Sequence, residues 1–145
     1  NTGVEIWEQW KNLTPPDVLI LGTGTGGTLM GCGRRLKEVW PHMKIIAVEP
    51  EESPVMSGGE PGLHGIQGIG DGSKFLVDLD FVDQVVTIPT EMAKKKARLL
   101  AQQGLFVGIS AGANVLAAQE WLIRNKKDNA VTILCDRGER YFSCL

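Results

Sequence analysis

The glycines and threonines of residues 22–28 are the residues of this chain best suited to binding an anionic ligand. The apolar run 18–21 precedes them, and Leu29-Met30 begin a segment with helical spacing. A buried strand that turns on glycine into a helix places unpaired backbone N–H groups and the positive end of a helix dipole at one point. Glycine lets a phosphate approach the backbone closely, and threonine hydroxyls donate to its oxygens. A phosphate site is therefore predicted, as opposed to a plain strand-to-helix turn; its candidate residues are Gly24, Thr25, Gly26, Gly27 and Thr28.

Two other turns are expected at the same edge of the structure as this loop. Residues 108–112 follow the apolar run 105–107, and residues 135–138 follow the apolar run 130–134. In a parallel sheet, ligands bind outside the carboxyl ends of the strands. Three turns that converge there predict one shared binding site.

Strands and helices alternate along the chain, and the strands are continuous apolar runs rather than alternating ones. That pattern predicts an α/β fold in which helices cover both faces of a twisted parallel sheet. The predicted strands span residues 17–21, 44–48, 83–88, 105–107 and 130–134. The predicted helices span residues 2–10, 28–40, 90–103 and 109–124. Thr90 is the expected N-cap of the third helix, and Met92 and Ala101 are expected on its buried face.

Length and composition narrow the class of protein. The 145 residues suit one domain, and 43% hydrophobic content with a net charge of −2 gives no reason to expect nucleic acid or a membrane as partner. No apolar run approaches the roughly 20 residues of a membrane span, so a cytoplasmic location is expected. Cys32, Cys135 and Cys144 are expected to be reduced, and two histidines, His42 and His64, are too few to predict a metal site.

Residues 51–80 are dense in glycine and show no clear periodicity. A loop of this length inside a compact domain is usually functional or mobile. Leu63, Ile66 and Ile69 are its few apolar anchors. We therefore expect weak protection from hydrogen exchange across much of this loop.

Two cofactors fit the glycine loop when only residue types are considered. Gly22-x-Gly24-x-x-Gly27 matches a dinucleotide fingerprint, and Glu49 ends the next strand at about the distance of a ribose-binding acid. Pro50 and the crowd of threonine hydroxyls count against a dinucleotide. A hydroxyl-rich loop better suits a terminal phosphate, as in pyridoxal phosphate. Residue types alone leave both alternatives open.

Four motifs resemble the cysteine synthase (O-acetylserine sulfhydrylase) family, which belongs to the fold type II pyridoxal-phosphate enzymes and includes cystathionine β-synthase as a relative. They occur in the family's order across nearly the whole chain, at residues 24–28, 65–70, 108–112 and 138–141. Residues 135–138, Cys-Asp-Arg-Gly, look more like the B-type enzymes than the commoner Pro-Ser-Ser-Gly version. The resemblance favours pyridoxal phosphate over a dinucleotide.

The resemblance implies a role for each matching residue. Residues 24–28 would bind the cofactor phosphate, Ser110 would lie near the cofactor ring, and Cys135 and Asp136 would face the pyridine nitrogen. A loop containing Gly68, Ile69 and Gly70 would border the entrance for a small amino-acid substrate. The implied reaction is β-replacement, in which O-acetylserine and sulfide give cysteine and acetate.

The chain also departs from the family's pattern. Ala111 stands where the family has a second serine, and no lysine, Lys74 included, lies in the family's Ser-x-Lys motif. That motif lies upstream in the family, so residues 1–145 are expected to form a single domain, the C-terminal, phosphate-binding portion of an enzyme, inactive alone and holding no catalytic residue. The expected partners are an N-terminal segment or a second copy, and the C-terminal peptide of serine acetyltransferase. A non-catalytic interaction domain is the remaining alternative.

Overall fold

The computed structural model describes residues 2–22, 27–60, 62–66 and 79–134, with Gly27 and Thr28 described by backbone alone. It contains a four-stranded sheet in the order β3-β2-β1-β4, in which all three neighbouring pairs are parallel. The strands are β1 (Val18–Gly22), β2 (Lys44–Pro50), β3 (Gln84–Ile88) and β4 (Ala130–Val131). The predicted parallel α/β fold is therefore confirmed.

Four helices cover the two faces of this sheet. They are α1 (Thr2–Trp10), α2 (Gly27–Val39), α3 (Thr90–Gln102) and α4 (Ile109–Asn125). Successive side chains of a strand point to opposite faces. Leu19 and Leu21 of β1 therefore pack in one cluster with α1 and α2, whereas Val18 and Ile20 pack in a second cluster with α3 and α4. Burial on both faces explains why the strands are continuous apolar runs.

Some predictions about single elements are wrong. Residues 105–107 do not form a strand of the sheet: in the six-residue link between α3 and α4, Val107 makes an isolated bridge, and Leu105 and Phe106 remain substantially exposed. The last strand ends at Val131 instead of residue 134. Met92 and Ala101 are exposed on α3 rather than buried.

Thr90 does not act as an N-cap, contrary to prediction. Pro89 occupies the cap position of α3 without a side-chain capping bond, and Thr90 is the first helical residue. Gly104 follows the helix end, with a φ of +92° that suits glycine better than other residues.

The second cluster depends on a close approach between α3 and α4. A Cβ atom added to Gly112 would lie 2.5 Å from the carbonyl oxygen of Ala93 and 2.9 Å from the backbone nitrogen of Ala97. Both atoms belong to the α3 backbone, so no side chain can move aside to make room. Gly112 is therefore a packing residue between helices, which gives this part of the 108–112 motif a structural explanation.

None of the helices in the described parts of the chain is both long and apolar enough to cross a membrane.

Candidate functional site

The strand order creates a switch point between β1 and β4. The chain passes from β1 outward to β2 and β3, and then returns to the other side of β1 as β4. Strands connected in opposite directions leave a crevice outside their carboxyl ends, where α/β proteins bind ligands. The predicted phosphate loop follows β1, and residues 135–138 follow β4, so both are attached to this switch point.

The described residues cover part of the predicted site. Gly27 and Thr28 form the first turn of α2, as expected for residues at the end of a phosphate loop. Ser110 lies in the first turn of α4. The remaining predicted site residues lie outside the described parts of the chain, and they are Gly24, Thr25, Gly26, Gly68, Ile69, Gly70, Cys135 and Asp136.

Ser110 is a buried hydroxyl that the rest of the described chain does not satisfy. The residue is 1% exposed, and its Oγ has no hydrogen-bond partner among the residues that the structure describes. Thr132, just after β4, also has a buried Oγ1 with no hydrogen-bond partner among the described residues. Because buried polar groups are almost always hydrogen-bonded, these two hydroxyls are suited to a polar group bound at the switch point.

Asn114 is a site residue that residue-type reasoning missed. It is fully buried, its Oδ1 accepts a hydrogen bond from Gly22 N at 2.7 Å, and its Nδ2 donates to Ile133 O at 2.9 Å. The side-chain amide therefore joins the end of β1 to the segment after β4. A signal was present, because a lone asparagine four residues after Ser110 lies on the same helix face, among alanines.

Glu49 does not serve as a ribose-binding acid. Its carboxylate is 1% exposed and accepts hydrogen bonds from Met56 N at 2.7 Å, from Ser57 N at 2.9 Å and from the Ser57 hydroxyl. Both oxygens are thus directed to the turn that follows β2. The nucleotide-binding alternative is wrong on this point, because the Glu49 carboxylate that would bind the ribose accepts hydrogen bonds from the chain's own backbone.

A second carboxylate anchors the glycine-rich loop to α3. Glu52 accepts hydrogen bonds from the Thr90 backbone N–H at 3.0 and 3.1 Å and from the Thr90 hydroxyl at 2.9 Å. The Thr90 hydroxyl in turn accepts a hydrogen bond from Gly65 N at 3.1 Å. Next along the chain, Ile66 is fully buried in the second cluster, whereas Leu63 is 98% exposed. The loop is thus fixed to the domain at residues 65–66.

The Glu52 contacts predict a loss of loop anchoring in acid. Desolvation by burial acts to raise the pKa of Glu52, but the hydrogen bonds from Thr90 and the nearby His64 outweigh it, so the pKa lies below its ordinary value of 4.5. Because the folded-state pKa is lowered, this stabilisation is present above the unfolded pKa and is lost as the pH falls through the folded pKa. We expect the Gly65 amide to exchange faster relative to Ile20 as the pH falls below 4.5, the ordinary pKa of the Glu52 carboxyl, as measured by hydrogen exchange. In Glu52→Gln the Gly65 amide should exchange this fast already at neutral pH. An exchange rate of Gly65 that responds neither to acid nor to Glu52→Gln would contradict the anchoring of the loop by Glu52.

Cys32 is the one cysteine among the described residues, and it is buried and unpaired, as expected. Burial raises the pKa of its thiol, so the sulfur is protonated at neutral pH and unreactive. Cys135 and Cys144 lie outside the described parts of the chain.

The residues present fit pyridoxal phosphate. Its phosphate suits the start of α2, where backbone N–H groups lack helical partners, and its ring substituents suit the unsatisfied Ser110 hydroxyl at the start of α4. Such a ligand would receive donors from both faces of the sheet, since α2 and α4 pack in different clusters.

Comparison with known proteins identifies the family. A family described as pyridoxal-phosphate dependent enzyme matches residues 1–136. Cysteine synthase of Staphylococcus aureus is 41% identical over 147 residues, covering 98% of this chain and 46% of that protein. The structure of O-acetyl serine sulfhydrylase isoform 3 from Entamoeba histolytica has a TM-score of 0.92 at 40% identity, over 98% of this chain and 43% of that one. A hydrogen sulfide-producing enzyme from Fusobacterium nucleatum has a TM-score of 0.94 at 39% identity, over 99% of this chain and 44% of that one.

An open parallel sheet with donors at its switch point defines a ligand-binding α/β unit. The chain belongs to the pyridoxal-phosphate dependent enzyme family. Its relatives confirm the resemblance to cysteine synthases, and pyridoxal phosphate is the cofactor of this family. The chain spans just under half the length of the curated relatives it matches.

Proposed function

We propose that this chain is the phosphate-binding portion of a pyridoxal-phosphate enzyme that makes cysteine and acetate from O-acetylserine and sulfide. The observation that carries the proposal is the buried, unsatisfied hydroxyl of Ser110 at the switch point where the phosphate loop begins. Identity of about 40% to a cysteine synthase and to an O-acetyl serine sulfhydrylase supports the choice of reaction.

In this proposal, residues 24–28 hold the cofactor phosphate through backbone N–H groups and threonine hydroxyls. Ser110 donates to or accepts from the ring, and Cys135 and Asp136 lie beside the pyridine nitrogen. The bound cofactor supplies an electron-withdrawing ring for breaking bonds at the substrate's α and β carbons. Gly68, Ile69 and Gly70 border the entrance through which the amino-acid substrate passes.

The phosphate site is tested by Gly26→Val. A valine side chain at the centre of the loop blocks the approach of a phosphate to the backbone, so we expect affinity for pyridoxal phosphate and for inorganic phosphate to fall by about tenfold or more. Titration calorimetry on both ligands measures this. Gly31→Val in α2 is the matched control, because a Cβ atom there meets nothing within 4 Å. Unchanged phosphate affinity in the Gly26 variant would refute the site.

The reaction itself is tested by measuring cysteine formation from O-acetylserine and sulfide. We propose that activity requires a lysine outside residues 1–145, supplied by an N-terminal segment. Borohydride reduction of residues 1–145 with pyridoxal phosphate should then modify no single lysine preferentially. A stoichiometric adduct at one position, such as Lys74, would contradict this.

Binding of a partner peptide is a separate proposal. The cysteine synthase resemblance implies that the C-terminal peptide of a serine acetyltransferase binds at the carboxyl edge of the sheet, in the cleft that also receives the amino-acid substrate. A binding titration with that peptide, with and without excess O-acetylserine, tests whether both ligands occupy one cleft.

A further inference from the structure

The ladder between β1 and β4 is unusually short. It contains two residue pairs, Val18 with Ala130 and Leu19 with Val131. β1 nevertheless continues to Gly22 and stays paired with β2 along its whole length. β1 and β4 therefore separate just before the carboxyl edge, at the switch point.

The register shows which hydrogen bond is lost where the strands separate. Continued for three more residues, it would place Leu134 opposite Gly22. In a parallel ladder an N–H bonds to the carbonyl of the residue just before its partner, so Gly22 N would donate to Ile133 O. Gly22 N and Ile133 O are the two atoms that the Asn114 side chain binds instead, at 2.7 and 2.9 Å.

The Asn114 amide thus occupies the place of a missing ladder bond. Its Oδ1 acts as the acceptor that β4 would have supplied, and its Nδ2 acts as the donor that β1 would have supplied. A primary amide presents the same acceptor and donor as a peptide group, which makes asparagine suited to this insertion. The polarity of the inserted amide matches the ladder, so Gly22 N and Ile133 O are both hydrogen-bonded.

We infer that Asn114 is a positioning residue that sets the width of the cofactor crevice. This inference rests on the proposed function. Gly22 immediately precedes the phosphate loop, and Ile133 lies two residues before Cys135, which that function places beside the pyridine nitrogen. One buried side chain therefore fixes the distance between the part of the chain that binds phosphate and the part that faces the ring. A ligand that reaches both parts depends on Asn114 more than a ligand that reaches one.

The test compares two ligands in the same variants. Inorganic phosphate occupies the phosphate loop alone, whereas 4′-deoxypyridoxine phosphate reaches both parts and has no aldehyde to react with lysines. In Asn114→Ala we expect affinity for 4′-deoxypyridoxine phosphate to fall by about tenfold or more and affinity for inorganic phosphate by about twofold or less. Asn125→Ala is the matched control, because that asparagine lies on the same helix and bonds only locally, to Trp121 O at 2.9 Å.

Asn114→Asp supplies a second, reversible readout. A protonated carboxyl group has one acceptor and one donor, as the amide does, but an ionised one opposes the Ile133 carbonyl with a second acceptor. We therefore expect the deficit in 4′-deoxypyridoxine phosphate affinity, relative to wild type at the same pH, to shrink from about tenfold near pH 8 to about threefold near pH 5.5. The deficit of Asn114→Ala should not depend on pH.

The outcomes test the proposed function and the positioning role of Asn114 separately. Failure of the wild-type protein to bind either ligand would refute the proposed function. Wild-type binding together with equal losses for both ligands, or with no loss, would overturn the positioning role of Asn114. If Asn114→Ala does not fold, the pH response of Asn114→Asp is the test. Affinity of Asn114→Asp for 4′-deoxypyridoxine phosphate that does not recover at low pH would overturn the positioning role of Asn114.

Discussion

Replacing Gly112 with valine is expected to lower the free energy of unfolding by about 3 kcal/mol or more. The added Cβ alone would lie 2.5 Å from Ala93 O and 2.9 Å from Ala97 N, so α3 and α4 must move apart. That movement loosens the cluster that buries Ala93, Ala113 and Ala117 against the sheet. Denaturant unfolding followed by circular dichroism measures the loss, and Gly112→Ala should already show most of it.

Gly31→Ala is the control for this prediction. Gly31 is also a helical glycine, but it is exposed, and a Cβ atom there meets nothing within 4 Å. Alanine should therefore stabilise α2 by about 0.5–1 kcal/mol through its better helix propensity. Equal effects of alanine at both positions would show that helix propensity, and not contact between helices, determines the role of Gly112.

The second large effect is expected at Glu49. Glu49→Ala should cost about 3 kcal/mol, because Met56 N, Ser57 N and the Ser57 hydroxyl lose a buried charged acceptor. Glu49→Gln should cost about 2 kcal/mol, because an amide NH₂ then faces N–H donors on one side. Glu51→Gln is the control, since that neighbouring carboxyl is exposed. Unfolding free energies are compared at neutral pH.

The dinucleotide alternative can be tested directly at Glu49. If its carboxylate bound a ribose, NAD would stabilise the wild-type protein, and Glu49→Gln would abolish that effect. We expect no shift in the midpoint of unfolding with NAD. A shift that disappears in Glu49→Gln would contradict the structural role given to this residue.

The sequence alone was sufficient for the sheet, the helices and the class of cofactor. All four strands and all four helices of the described residues follow from apolar runs and periodicity, which are local properties, although β4 ends three residues earlier than predicted. The phosphate loop was predicted for the same reason, since a strand, a glycine turn and a helix start are consecutive in the chain. The four motifs at residues 24–28, 65–70, 108–112 and 138–141 indicated the family that the comparison then confirmed.

Tertiary structure decided what depends on partners distant in sequence. Residues 105–107 have the composition of a strand, yet a strand requires a neighbour along its length to complete the hydrogen bonds, and in the six-residue link between α3 and α4 only Val107 forms a bridge. Glu49 has the spacing of a ribose-binding acid, but the turn that follows β2 folds back and binds both of its oxygens. Asn114 became visible only in three dimensions, because its amide joins Gly22 and Ile133, residues 92 positions before it and 19 after it. Periodicity shows which residues are buried, whereas only the packed chain shows which buried polar atoms meet.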